Sequence, residues 1–402
     1  MKRETLITAM TALVFLLLFA LSHFVLNPPQ KNAEILKIGF IYDGDESIPY
    51  TNNFIRTQHT LEERFGDKIQ IIEKTNVAPE TVDETLEALA EEECTLIFTT
   101  SYSHAIIAKE YAEKYPHIQF CQASGDNAQE EPILKNYHTF MGEIYQGRYV
   151  AGIVAGIKLK DLIEKKIITE EEAKIGYVGA YPYPEVISGY TAFLLGVRSV
   201  VPTATMTVTY TYTWSNFSQE KQCAARLIED GCVIISQHSD TNGPAIACEE
   251  AFEKNVFHVG YNQSMIDIAP MTSLVSTRIN WTPYITGVVM ALLNKKPIEK
   301  SIKGHVHGND IGAGFDLGWV QMLELNSIIL PEETSQKVSE VEQAFKKGKV
   351  HVFTGDYIGV NVFDEDDIYD LKKEYKENES ASAPSFAYIL QDVITVEEQS
   401  LF

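Results

Sequence analysis

From residue 36 onward, short apolar runs alternate with longer stretches in which apolar residues recur every three or four positions. ILKIGFIY (35–42), KIQIIEKTN (68–76), CTLIFTT (94–100) and IQFCQAS (118–124) have the length and composition of strands. Between them, YTNNFIRTQHTLEERFG (50–66), PETVDETLEALAEEE (79–93) and SHAIIAKEYAEKYP (103–116) carry helical spacing, and Gly66 stands where a helix stops. A further strand, YHTFMGE (137–143), leads into a glycine-rich helix, and the alternation then restarts. AKIGYVGAY (173–181), TMTVTYTYTW (205–214), CVIISQHS (232–239) and VFHVGYN (256–262) read as strands, separated by helices over 184–202, 218–231 and 242–255. Two successive runs of this kind predict an α/β chain with two doubly wound parallel-sheet lobes, whose ligands lie beyond the carboxyl ends of the strands.

The stretch FMGEIYQGRYVAGIVAG (140–156) holds Gly142, Gly147, Gly152 and Gly156. Each glycine inside a helix costs about 0.5–1 kcal/mol relative to alanine. Ala151, Gly152, Ala155 and Gly156 make a nearly bare face, and the expected compensation is close packing of that face on a sheet. Toward the C-terminus, 332–348 reads as a helix and HVFTGDY (351–357) as a strand. The tail after about residue 362 contains the linker-like ENESASAPS (377–385). It either straps onto the surface or stays mobile.

The other end changes the picture more. Lys2 and Arg3 precede TLITAMTALVFLLLFALSHFVL (5–26), long enough to span a bilayer. Residues 1–4 are expected to be a cytoplasmic start, 5–26 a signal anchor and 27–36 a linker. ALS (20–22) leaves a cleaved signal peptide open. The rest of the chain would lie outside the cytoplasm, attached to the cell membrane, or secreted if the segment is cleaved. The net charge of −23 argues against a nucleic-acid partner. Five cysteines, an odd number without CxxC, point to small buried thiols rather than a metal or redox site. His305 and His307 form an HxH pair with no third metal ligand in view. No GxSxG, HExxH or GxxxxGK[ST] motif suggests catalysis.

MGEIYQGRYVAGIVAG (141–156) resembles a signature of the basic membrane protein family, the purine-nucleoside-receptor-like substrate-binding proteins of ABC transporters. LIFTTSY (96–102), KIGYVGAYPYPEVISGYTAFLLGVRSV (174–200), IISQHSDTNG (234–243), VGYNQSM (259–265), STRINWTPYI (276–285) and FTGDY (353–357) agree in order. The resemblance implies a type I periplasmic-binding-protein-like fold, no catalysis and no cofactor. It implies a purine nucleoside or nucleobase captured between closing lobes, an ABC permease as partner, and a monomer. The lobes expected are 37–139 with about 276–320, and 140–275 with about 321–362, followed by a 363–402 tail. The alternative is a membrane-tethered sensor of the same fold acting through a partner protein.

Purine recognition needs aromatic faces for the rings and polar groups for the edges. After the first strand, Asp43 supplies an acid, with Tyr50 and Asn53 as candidate stacking and amide groups, unless this segment is a solvated turn. Ser101 and Tyr102 follow the third strand, where Ser101 is equally readable as an N-cap. Tyr183 lies on a proline-stiffened loop that forms a stacking wall or a rigid turn. Trp214 ends one later strand, and His238 and Asp240 stand at the end of the next. Asn262 stands where the resemblance leads one to expect Asp, which removes a charge. Trp281 is a ligand contact or hinge packing.

Overall fold

The computed structural model describes residues 35–397. The apolar segment 5–26, its flanks and the last five residues lie outside the described residues. Among the described residues no helix is long and apolar enough to cross a membrane.

The first run of alternation folds as β1 (Leu36–Ile41), α1 (Pro49–Phe65), β2 (Ile69–Lys74), α2 (Val82–Glu91), β3 (Leu96–Thr99), α3 (Ala105–Lys114), β4 (Gln119–Ala123) and β5 (Tyr137–Gly142). The second is α4 (Ile144–Glu164), β6 (Lys174–Gly179), α5 (Pro184–Arg198), β7 (Thr205–Tyr210), α6 (Phe217–Glu229), β8 (Ile234–His238), α7 (Gly243–Glu250), β9 (Phe257–Tyr261) and β10 (Ser273–Ile279). The chain then returns through α8 (Thr282–Leu293), β11 (His305–His307) and β12 (Asp310–Ala313) to the first sheet. It crosses back to the second through β13 (Val320–Met322), and α9 (Thr334–Lys346) packs on α4. The strand order is β11-β12-β5-β4-β3-β1-β2 in the first sheet. Every pair there is parallel except β11–β12.

Alternation along β1 explains the double winding. Ile38 and Phe40 face Phe54 and Leu61 of α1, whereas Ile41 lies with Leu86 and Leu89 of α2. The second sheet repeats this, with Ile175 toward Val186 and Phe193 of α5 and Val178 toward Ala224 and Leu227 of α6.

Three segments cross between the sheets, at Gly142–Glu143, Asn280–Trp281 and Gly314–Trp319, and they are hydrogen-bonded to one another. Glu143 N donates to the Ala313 carbonyl (2.9 Å) and Asn280 N to the Trp319 carbonyl (2.6 Å). Phe315 N donates to Gln146 Oε1 (2.9 Å). The three crossings thus form one hydrogen-bonded junction between the two sheets.

The glycine-rich helix departs from expectation. Gly147 does meet the second sheet, at Thr277 and Val320, but Gly152 faces the backbone of α5. A Cβ there would lie 2.9 Å from the Phe193 carbonyl carbon and 3.1 Å from Val197 N. Gly196 of α5 is the reciprocal bare position, against Tyr149 and Gly152. The bare face therefore serves mainly a helix–helix contact.

Residues 351–357 do not form the strand expected of them; Phe353 makes only an isolated bridge to Tyr375. The tail is folded onto the molecule. Strands β14 (Ile358–Asn361), β15 (Asp364–Asp370) and β16 (Tyr388–Leu390) form a small antiparallel sheet. Strand β17 (Ile394–Val396) then joins the second large sheet, whose order is β13-β10-β9-β8-β6-β7-β17. Between these strands, Ser382 donates from N and Oγ (2.5 Å each) to the buried carboxylate of Asp310 in the first sheet. Glu377 accepts from Ser188 Oγ of α5 (2.7 Å), so the tail grips both halves. All five cysteines are free and buried.

Candidate functional site

The carboxyl ends of both sheets face one cleft, whose space between protein atoms is about 330 Å³ with its opening to solvent included. From the first sheet's side come Asp43 after β1, Tyr50 in the first turn of α1, Ser101 and Tyr102 after β3, and Ser124 after β4. From the second come Glu185 at the start of α5, Trp214 after β7, His238 and Asp240 at the end of β8, and Tyr261 closing β9. Parallel strands deliver all their carboxyl ends to one edge, which is why residues 43 and 261 meet there.

Tyr50 is fixed by its hydroxyl, which donates to the Thr100 carbonyl (2.6 Å), and by an edge contact with Phe54. Burial raises the Tyr50 hydroxyl well above its ordinary pKa, so it stays protonated. Tyr102 donates to Asp126 (3.1 Å), and burial with the nearby Asp126 charge pushes its pKa up to about 12. Its ring meets Tyr183 across the cleft at 5.5 Å. Ser101 makes no side-chain cap; its hydroxyl pairs with Ser103 Oγ (2.8 Å).

His238 lies 3.3 Å through Nε2 from Glu185 and edge-on to Tyr261. Burial, then the Arg148 charge, lowers its pKa to about 4, so the ring is neutral near pH 7. Arg148 is fully buried, donates to the Gln237 carbonyl (2.8 Å) and stacks on the Tyr261 ring at 3.8 Å. It backs this wall without lining the cavity. Asp240 is 7% exposed and its carboxylate accepts no hydrogen bond, although its backbone N–H binds the Trp214 carbonyl (2.9 Å). Burial, reinforced by Asp43, raises its pKa well above the usual carboxylate value.

Four candidates do not line the cavity. Asn53 is turned to the crossing, donating to the Ile279 carbonyl (2.7 Å). Trp281 is core packing at the hinge, stacked on Phe54 at 4.5 Å. Asn262 is buried with φ at 67°, a conformation Asn tolerates; its backbone N–H donates to the Thr277 carbonyl (2.9 Å), and its side-chain amide has no hydrogen-bond partner. Tyr183 stands at the mouth, stacked on Tyr181 at 5.1 Å and beside Trp214. Ser124, Glu185 and Tyr261 are additions. Ser124 and Tyr261 sit at strand ends, which the rule that pointed to the other residues also covers; Glu185 lies in the first turn of α5, directly after the proline-stiffened loop.

His305 is engaged by Glu143 (2.6 Å). Among the described residues no group of three or more His, Cys, Asp or Glu is placed to hold a metal ion.

Residues 35–352 match the family described as PnrA-like ABC transporter substrate-binding proteins, Bmp. A purine-binding protein of Brucella abortus is 29% identical over 334 residues, 83% of this chain and 87% of that protein. A putative ABC transporter glucose-binding protein of Haloferax volcanii is 29% identical over 279 residues, 69% of this chain and 64% of that protein. Among solved structures, an ABC transporter solute-binding protein from Aeropyrum pernix superposes with a TM-score of 0.65 at 15% identity, covering 78% of this chain and 92% of that one. A transcriptional activator of a comK gene from Bacillus halodurans gives 0.58 at 16% identity, covering 77% and 98%. The solved structures establish likeness of fold alone.

Proposed function

The chain belongs to the family of PnrA-like substrate-binding proteins of ABC transporters, and on that premise we propose that it captures a purine nucleoside or nucleobase between its two lobes. It hands that ligand, chemically unchanged, to an ABC permease. It acts as a monomer outside the cytoplasm, held at the membrane by residues 5–26 or released if they are cleaved. Its lobes are residues 37–139 with about 276–320, and 140–275 with about 321–362.

One observation carries the purine reading. Both sheets contribute aromatic rings and hydrogen-bonding groups to a single small cavity, Tyr50 from one and Trp214 and Tyr261 from the other. A flat heteroaromatic ring uses both kinds of group. The name of the Brucella relative points the same way. Closure follows as a population shift: a ligand touching both walls favours the closed form only by the contacts it gains there.

A thermal-shift screen of the full-length protein against nucleosides, nucleobases and sugars tests the proposal. A purine at 100 times its dissociation constant stabilises by about 2.7 kcal/mol, a readily measured rise in Tm. A response to glucose with silence from every purine would overturn it.

A further inference from the structure

We infer that Arg148, which does not line the cavity, is a positioning residue for capture: from behind the second lobe's wall it fixes Tyr261 and His238 and supplies the positive charge that balances the acids of the cleft. This rests on the purine reading and concerns the same cavity.

Arg148 lies in the second turn of α4 and is fully buried. Its guanidinium reaches two strand ends at once. Nη1 donates to the Gln237 carbonyl (2.8 Å), next to His238 at the end of β8. The same planar group lies 3.8 Å from the centroid of the Tyr261 ring, which closes β9. His238 is confined by Gly189 of α5 as well, where an added Cβ would stand 2.7 Å from Nδ1 and 3.8 Å from Arg148 Nε. The His238 ring in turn meets Tyr261 edge-on at 4.9 Å. Two rings that line the cavity are thus held from one point on α4.

Packing alone does not call for an arginine there. A buried guanidinium without a carboxylate partner is costly, and an apolar side chain of similar length would fill the same space. Nε and Nη2 of Arg148 have no hydrogen-bond partner among the described residues. Its counter-charges stand across the wall: Asp43, Glu185 and Asp240 line the cavity, and no Lys or Arg does. At Asp240 burial and the neighbouring acids disfavour the ionised form, and Arg148 opposes them. At His238 burial comes first in disfavouring the charged ring, and Arg148 adds to it. Arginine keeps its proton, and its flat face suits an aromatic ring in a way that a lysine ammonium does not.

Two variants of the full-length protein, Arg148→Met and Arg148→Lys, test this. They are compared with the wild type by nuclear magnetic resonance titration of His238 without ligand and by calorimetric titration with adenine. The groups facing His238 are Glu185 from α5, Arg148 from α4 and Tyr261 from β9. Its wild-type midpoint is expected at about 4. Without the cation the ring charges more easily, so the midpoint should rise by about half a pH unit or more in Arg148→Met. Adenine affinity should fall about tenfold or more. Arg148→Lys keeps the charge but not the flat face. Its His238 midpoint should stay near that of the wild type, while adenine still binds more weakly. Merely structural damage would not separate the two readouts in this way. Arg148→Gln, which keeps an N–H for the Gln237 carbonyl, replaces Arg148→Met if that variant does not fold. An unchanged midpoint in the neutral variant, or unchanged adenine affinity, overturns this inference and leaves the purine reading standing. A wild type that binds no purine overturns that reading, and the ligand-free titration still decides whether Arg148 sets the charge of the wall.

Discussion

Replacing Gly196 by alanine tests the packing that sets the second lobe's geometry. The new Cβ would sit 3.0 Å from the Tyr149 carbonyl carbon, nearer still to its oxygen, and 3.2 Å from the Cα of Gly152. All of these are backbone atoms, so no rotamer change relieves the contact and α4 and α5 must separate. Overpacking of this kind costs about 1–3 kcal/mol, and backbone contact places it at the upper end. Alanine's helix propensity returns about 0.5–1 kcal/mol. The net is about 2 kcal/mol of lost stability, or about 4–8 °C in Tm for a unit of 150–250 residues. Gly287→Ala in α8 is the control. The atoms nearest its Cβ belong to the Ile302 side chain (2.7 Å to Cγ1), which must shift but can do so where backbone cannot, so its Tm should fall by less than that of Gly196→Ala. Calorimetric or circular-dichroism melts measure both. A Gly196→Ala protein as stable as the control would refute the reasoning, because the approach of the two helices would then tolerate a methyl group.

Acid should weaken the fold through His258. Burial lowers its pKa from 6.5 to about 3, so the unfolded chain binds the extra proton between those values. Its contribution is fully present above pH 6.5 and is lost as pH falls toward 3, by up to about 1.4 kcal/mol per pH unit. Denaturant melts of wild type and His258→Gln over that range should diverge in slope; parallel curves would contradict the assignment. Asp310→Ala removes the acceptor for Ser382 and Thr139 and should cost about 1–3 kcal/mol. It should also make residues 353–397 the first segment cut in limited proteolysis, and an unchanged digestion pattern would show that the tail is held elsewhere. The five buried thiols should resist a thiol reagent in the native protein and all react in denaturant. Fast labelling of the native protein would count against their burial.

Strand and helix periodicity was legible because each element has one or two buried faces, and buried faces write themselves into the apolar pattern. The strand ends followed, and with them Asp43, Tyr50, Tyr102, Trp214, His238 and Asp240. What the pattern could not show is which way a polar side chain turns at such an end. Asn53, three residues after Tyr50 in the same helix, is drawn to the Ile279 carbonyl, 226 residues away in the chain. Trp281 follows a strand end like Trp214, but Phe54 and Phe140 are packed against it. The glycine helix was readable as a close contact but not as to its partner, since a bare face suits a sheet and a second bare helix equally. β17 is three residues long, too short for periodicity, and its place beside β7 is set by pairing alone.

A purine captured as proposed stacks on Trp214. The chain has three tryptophans; Trp281 and Trp319 are buried in the core and only Trp214 lines the cavity. The most direct measurement is a fluorescence titration of the full-length protein and of Trp214→Ala with adenine, with affinities checked by calorimetry. The account predicts a saturable change in the wild type that disappears in the variant, together with an affinity loss of about 1–3 kcal/mol from the missing stack. A variant that binds adenine as tightly as the wild type would contradict it.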